Sequence, residues 1–138
     1  MAYADDNIFA RILRDEVPAY RVYENDMSLA FMDVMPQLPG HTLVIPKYPA
    51  EGLLDCDPDY LAATIATTQT VAAAVKEAFA APGIMIAQLN GPAAGQTVYH
   101  LHFHILPRHD GIDLKLHARD MEDGAVLAAH AEKIRACL

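Results

Sequence analysis

The chain has 138 residues, 53% hydrophobic and 20% charged, a balance that fits one globular domain and excludes a disordered one. Its formal net charge of -8 at pH 7 argues against a surface for long nucleic acid or an anionic membrane. A small anionic ligand stays open to it, because a few backbone N–H groups are enough to hold a phosphate.

Asp5 or Asp6 is placed to cap a first helix running to about Asp15, with Ile8, Phe9, Ile12 and Leu13 as its apolar stripe. Pro18 closes that region. Residues 20–24 and 28–34 read as a hairpin through Asn25-Asp26. After a loop with Pro36, Pro39 and Gly40, the run from His41 to Pro46 reads as a buried strand. Asp57-Pro58 is an N-cap followed by a proline suited to the first helical turn. Leu61, Ile65, Ala72, Val75 and Phe79 then recur at helical spacing over 59–80. Pro82-Gly83 stops that helix. Strands are expected at 84–89 and 98–106, with a final helix at 122–137. The fold class is therefore α+β: one domain over 1–138, an antiparallel sheet of about five strands, one long covering helix and a shorter helix at each end. Cys56 and Cys137 form no CxxC pair, and the first residues lack the regions of a secretory signal. No apolar run approaches the ~18 residues of a spanning helix. These features point to a cytoplasmic protein.

The chemistry concentrates in His100-Leu101-His102-Phe103-His104. On a strand, residues i, i+2 and i+4 share a face, so the three imidazoles are expected in a row roughly 6–7 Å apart. Leu101, Phe103 and Ile105 would face the core. Packing does not call for three imidazoles there, whereas two chemistries do. Neutral imidazoles ligate metals, although three on one straight strand converge poorly on a single ion. A neutral imidazole can also attack phosphorus, provided that one ring nitrogen is held as N–H and the other keeps its lone pair. Such a site needs donors around the phosphate oxygens. Gly95 permits a close backbone approach, and Gln96 and Thr97 carry side-chain donors.

The stretch from Gly95 to Arg108, with hydrophobic residues between and after its three histidines, closely resembles the signature of the histidine-triad family. Residues 30–37 and 39–47, including Asp33 and His41, resemble the first half of that family, and Ile8-Phe9 with Ile12 resembles its opening helix. The likeness covers about residues 5–110 and leaves 111–138 as an extension. It implies cleavage of an α-phosphate bond in a purine nucleoside phosphoramidate or related nucleotide, with release of nucleoside monophosphate and no cofactor. Carried over by position, His102 is the nucleophile, and His100 and His104 bind phosphate or leaving group. Gln96 and Thr97 contact phosphate and leaving-group oxygens, Asp33 binds the ribose hydroxyls, and Val34, Ile8, Phe9 and Leu43 surround the base. Asn90 matches a loop Asn, while Leu89 stands where the family often has another. The resemblance also implies a symmetric homodimer that extends the sheet.

One departure concerns metal. Many bacterial relatives carry a Cys-x-x-Cys that binds zinc with a downstream His and the first triad His. The matching positions here are Asn7, Ala10 and Pro49, so no zinc is expected and His100 should be free for the site. His41 reads as structural, and His109, His117 and His130 as surface residues. Lys47 and Arg108 read as surface charges within reach of a distal phosphate. A dinucleoside polyphosphate hydrolase and a non-catalytic nucleotide-binding protein remain alternatives.

Overall fold

The computed structural model describes residues 3–114 and 120–138. In chain order the elements are α1 (Ile8–Leu13), β1 (Arg21–Glu24), β2 (Ser28–Met32), β3 (Thr42–Pro46), α2 (Pro58–Ala78), β4 (Gly83–Ala87), β5 (Phe103–Arg108) and α3 (Gly124–Arg135). The strands form one antiparallel sheet in the order β1-β2-β3-β5-β4. His117, expected at the surface, lies outside the described residues.

Local chemistry sets most of the element ends. Asn7, rather than Asp5 or Asp6, caps α1, its Oδ1 accepting from the Ala10 N–H at 2.9 Å. Asp57 caps α2 with Pro58 as the first helical residue, and Asp123 caps α3. The β1–β2 turn is held by Asn25, whose Oδ1 accepts from the N–H groups of Met27 and Ser28.

Two apolar layers flank the sheet. Val71, Ala74 and Val75 of α2, with Leu127, Ala131 and Ile134 of α3, pack on Val22, Ala30, Val44, Phe103 and Ile105. On the opposite face, Phe9 and Ile12 of α1 cover Leu29, Phe31, Leu43 and Ile45. Leu43 pairs with His104 across β3 and β5, so His104 emerges on the α1 face while Phe103 and Ile105 point toward α2. The helix α2 differs from expectation at Ile65, which is half exposed.

The expected strand over 98–106 is only partly found, because the ladder begins at Phe103. Val44 pairs with Phe103, so continuing that register would set Leu101 opposite Pro46, which has no N–H to give. The Pro46 carbonyl instead accepts from the His100 ring at 2.8 Å, and the Leu101 N–H donates to the Ala50 carbonyl at 2.9 Å. His100 and His102 therefore sit on a tethered loop leading into β5, and only His104 is on the strand.

Candidate functional site

The site assembles where α1, the β3 start and the approach to β5 meet. His102 Nδ1 lies 2.7 Å from the His100 carbonyl oxygen. A carbonyl only accepts, so Nδ1 carries the proton and Nε2 keeps its lone pair. Burial lowers the His102 pKa from its ordinary 6.5, against the opposing pull of that carbonyl, and the ring is neutral at pH 7. The Phe9 ring meets His102 edge to face at 5.0 Å and fixes its tilt.

His104 stands 4.8 Å from His102, ring centre to ring centre. Its Nδ1 is 2.9 Å from His41 Nε2. The Gln37 N–H donates to His41 Nδ1 at 3.1 Å, which places the His41 proton on Nε2. His41 thus donates to His104 Nδ1, and neutral His104 keeps an N–H at Nε2. Burial first, and the charges of neighbouring histidines second, push His104 down to about 4 and His41 down to about 3. His41, expected as a structural residue, is therefore part of the histidine network. Its only sequence signal is a lone imidazole heading an otherwise apolar buried strand.

His100 is placed differently from expectation. It is 1% exposed, and both ring nitrogens are engaged. Nε2–H donates to the Pro46 carbonyl, so Nδ1 accepts from the Tyr3 hydroxyl at 2.6 Å. Burial chiefly lowers its pKa to about 4. The ring is not free to meet a phosphate without breaking one of these bonds.

Asp33 follows β2, its N–H donating to the His41 carbonyl. Its Oδ1 accepts from the Met35 N–H at 2.9 Å, and Oδ2 is 3.5 Å from His41 Nε2. Desolvation raises its pKa to about 6 against the lowering effect of the Met35 N–H. Val34 is half-buried, and its carbonyl accepts from the Glu122 N–H, which brings the C-terminal extension beside Asp33.

The loop before the histidines is held by its own side chains, which bond both within the loop and to the backbone of Glu51 and Leu53. Gln96 is 5% exposed, and its amide is spent on backbone: Oε1 accepts from the Gly91 N–H, while Nε2 donates to the Glu51 and Val98 carbonyls. Asn90 forms a paired amide contact with Gln88, and its Oδ1 also accepts from the Leu53 N–H. These two side chains shape the loop and are not aimed at solvent. Gly95 adopts φ 101°, which favours glycine. Thr97 is exposed, and among the described residues its hydroxyl makes no hydrogen bond, leaving it available to a ligand. Phe9 and Leu43 are buried against the histidines and Phe31, whereas Ile8 is 40% exposed. Lys47 pairs with Glu24 at 2.7 Å, and Arg108 donates to the Ile112 carbonyl. His109 and His130 are half-buried rather than fully exposed and lie against Phe79.

Among the described residues, two donor sets bear on a metal, and each is already engaged in hydrogen bonds. Asp33, His41 and His104 bring three ligand atoms within 4.8 Å of one another. However, His41 Nε2 carries a proton and has no lone pair to give. At the position of the bacterial zinc site, Asn7 Nδ2 donates to the Tyr3 hydroxyl and the ring of His100 is already satisfied.

The HIT domain model matches residues 14–111. An uncharacterized HIT-like protein of Synechococcus elongatus is 46% identical over 103 residues, 75% of this chain and 90% of that protein. An adenylylsulfatase of Arabidopsis thaliana is 36% identical over 75% of this chain and 53% of its own length. The crystal structure of a HIT-like protein involved in cell-cycle regulation from Bartonella henselae superposes with a TM-score of 0.93 at 52% identity. That match covers 99% of this chain and 100% of the other. The matched family model spans the segment that carries the histidines, and the chain belongs to the histidine-triad (HIT) family.

Proposed function

We propose that the protein is a nucleotide hydrolase or transferase that cleaves the α-phosphate bond of purine nucleoside phosphoramidates or related nucleotides. The observation that carries this reading is the proton assignment of His102, a neutral ring with Nδ1–H held on a carbonyl and a lone pair at Nε2. In the first step that lone pair forms a P–N bond, the bond from phosphorus to the leaving group breaks, and the leaving group departs with its electron pair and takes a proton from solvent. The phosphorylated ring is cationic and keeps its Nδ1–H on the His100 carbonyl, which stabilises the charge. Water then adds to phosphorus and releases a proton to solvent, the P–N bond breaks with its electron pair returning to Nε2, and neutral His102 and a nucleoside monophosphate result. His104, its Nδ1 occupied by His41, is suited to donate Nε2–H to a phosphate oxygen or to the leaving group. Exposed Thr97 adds a hydroxyl donor, and Asp33 accepts from the ribose hydroxyls.

The reading includes a homodimer. β4 forms one outer edge of the sheet, and beside it Ile65, Thr68, Ala72, Ile86 and Phe103 line an apolar groove of about 250 Å³. Ile65 and Ile86 are 49% and 45% exposed, a surface suited to a second copy that continues the sheet. Both cysteines are free, and no helix of the described residues is long and apolar enough to cross a membrane, which supports a cytoplasmic assignment. A turnover screen with adenosine and guanosine phosphoramidates, adenosine phosphosulfate and a dinucleoside polyphosphate tests the reading. Release of monophosphate from a phosphoramidate is expected, and no release from any of the four would reject an enzymatic role.

A further inference from the structure

The segment bearing the nucleophile is not part of the sheet ladder, so something else must hold it still. Its peptide between residues 100 and 101 is fixed on both sides: the Leu101 N–H donates to the Ala50 carbonyl, and the His100 carbonyl accepts from His102 Nδ1. The orientation of that carbonyl also depends on the His100 ring, which has two tethers. One is the Pro46 carbonyl at 2.8 Å, and the other is the Tyr3 hydroxyl at 2.6 Å. The direction of the Tyr3 bond follows from its neighbours. Asn7 Nδ2 donates to the phenol oxygen at 2.9 Å, so the phenol proton is directed at His100 Nδ1, the nitrogen left as acceptor by the Pro46 bond. Asn7 in turn is fixed as the α1 cap. The Tyr3 ring also meets His100 edge to face at 5.7 Å.

We propose that Tyr3 is a positioning residue for the nucleophile: its hydroxyl pins the His100 ring, and through the His100 carbonyl it fixes the proton and direction of His102. This proposal rests on the functional reading above. Without the hydroxyl, buried Nδ1 of His100 has no donor, and the ring gains by turning or changing tautomer, which moves the carbonyl away from His102 Nδ1. His102 then spends part of its time with the proton on Nε2, where it cannot attack. The loss falls on the chemical step, because neither Tyr3 nor His100 touches the substrate in this arrangement.

The experiment compares wild type with Tyr3→Phe, which keeps the ring and removes only the hydroxyl. Its kcat on the best substrate of the screen should fall about tenfold, with KM within about twofold. Unchanged kcat, or a change confined to KM, would overturn the proposal while leaving the proposed function intact. A second arm needs neither substrate nor variant: histidine ring nitrogen spectra of the wild-type protein. His100 should appear as the Nε2–H form with Nδ1 accepting a hydrogen bond, and His102 as the Nδ1–H form. His100 found with its proton on Nδ1 would overturn the proposal even if Tyr3→Phe failed to fold. If wild type turned over nothing in the screen, the functional reading would fail on its own, and mixed His102 tautomers appearing only in Tyr3→Phe would still support the positioning role.

Discussion

Replacing Asp33 by Asn separates what this carboxyl does for a ligand from what it costs the fold. Burial lifts Asp33 from its ordinary 3.8 to about 6, so the folded state resists its ionisation. At 1.36 kcal/mol per pH unit, that difference is about 3 kcal/mol. The sign follows from the raised value: below about pH 4 the carboxyl is protonated in both folded and unfolded chains and costs nothing. The cost grows as pH rises and is complete above about 6. Asn carries no charge, and its side-chain oxygen can keep the 2.9 Å bond from the Met35 N–H. Asp33→Asn should therefore match wild type in thermal midpoint near pH 4 and exceed it at pH 8 by about 5–10 °C, the residual exposure of Asp33 trimming the full value. The same change should weaken nucleoside monophosphate binding roughly ten- to hundredfold, because hydrogen bonds to a charged acceptor are lost. Scanning calorimetry across pH and titration calorimetry read the two effects. A midpoint difference that does not vary with pH, or a variant less stable at pH 8, would refute the electrostatic reasoning. Undiminished nucleotide affinity would remove Asp33 from the site.

The buried histidines have the opposite pH sign. His41, His100 and His104 are pushed down to about 3, 4 and 4, so their neutral forms stabilise the fold fully above 6.5, and that stability drains away as pH falls toward 4. The thermal midpoint should fall steeply over that window and fall less in His104→Gln; a flat profile would contradict the burial of these rings. Elemental analysis of tag-free protein should find well under one zinc per chain, and about one per chain would show that the Tyr3–Asn7–His100 cluster has been misread. Light scattering at micromolar concentration should give about twice 15.1 kDa, and Ile86→Asp on the open edge should give the single-chain mass; a wild-type mass of 15.1 kDa would reject the dimer.

Much of the fold was legible because its signals are local. The cap and proline at Asp57-Pro58, the Asn25 turn and the apolar run of β3 each act within a few residues of themselves. The spacing of the three histidines marked the site for the same reason. What stayed hidden depends on contacts distant in sequence. The ladder stops short of His102 because of Pro46, more than fifty residues earlier. His41 reads as an ordinary strand-start residue until the β3–β5 pairing brings it to His104. Tyr3 lies 97 positions from the ring it tethers. Gln96 looks like an available donor in sequence, yet folding turns its amide onto backbone, its Nε2 donating to the Glu51 carbonyl 45 positions away.

The central claim is that His102 Nε2 forms a bond to phosphorus. Rapid-quench mass spectrometry of wild-type protein mixed with an adenosine phosphoramidate addresses it most directly. The account predicts an acid-labile adduct of one nucleotidyl group on His102, formed within a turnover and absent from His102→Ala, with net retention of configuration at phosphorus over the whole reaction. Inversion at phosphorus, or full activity in His102→Ala, would contradict it.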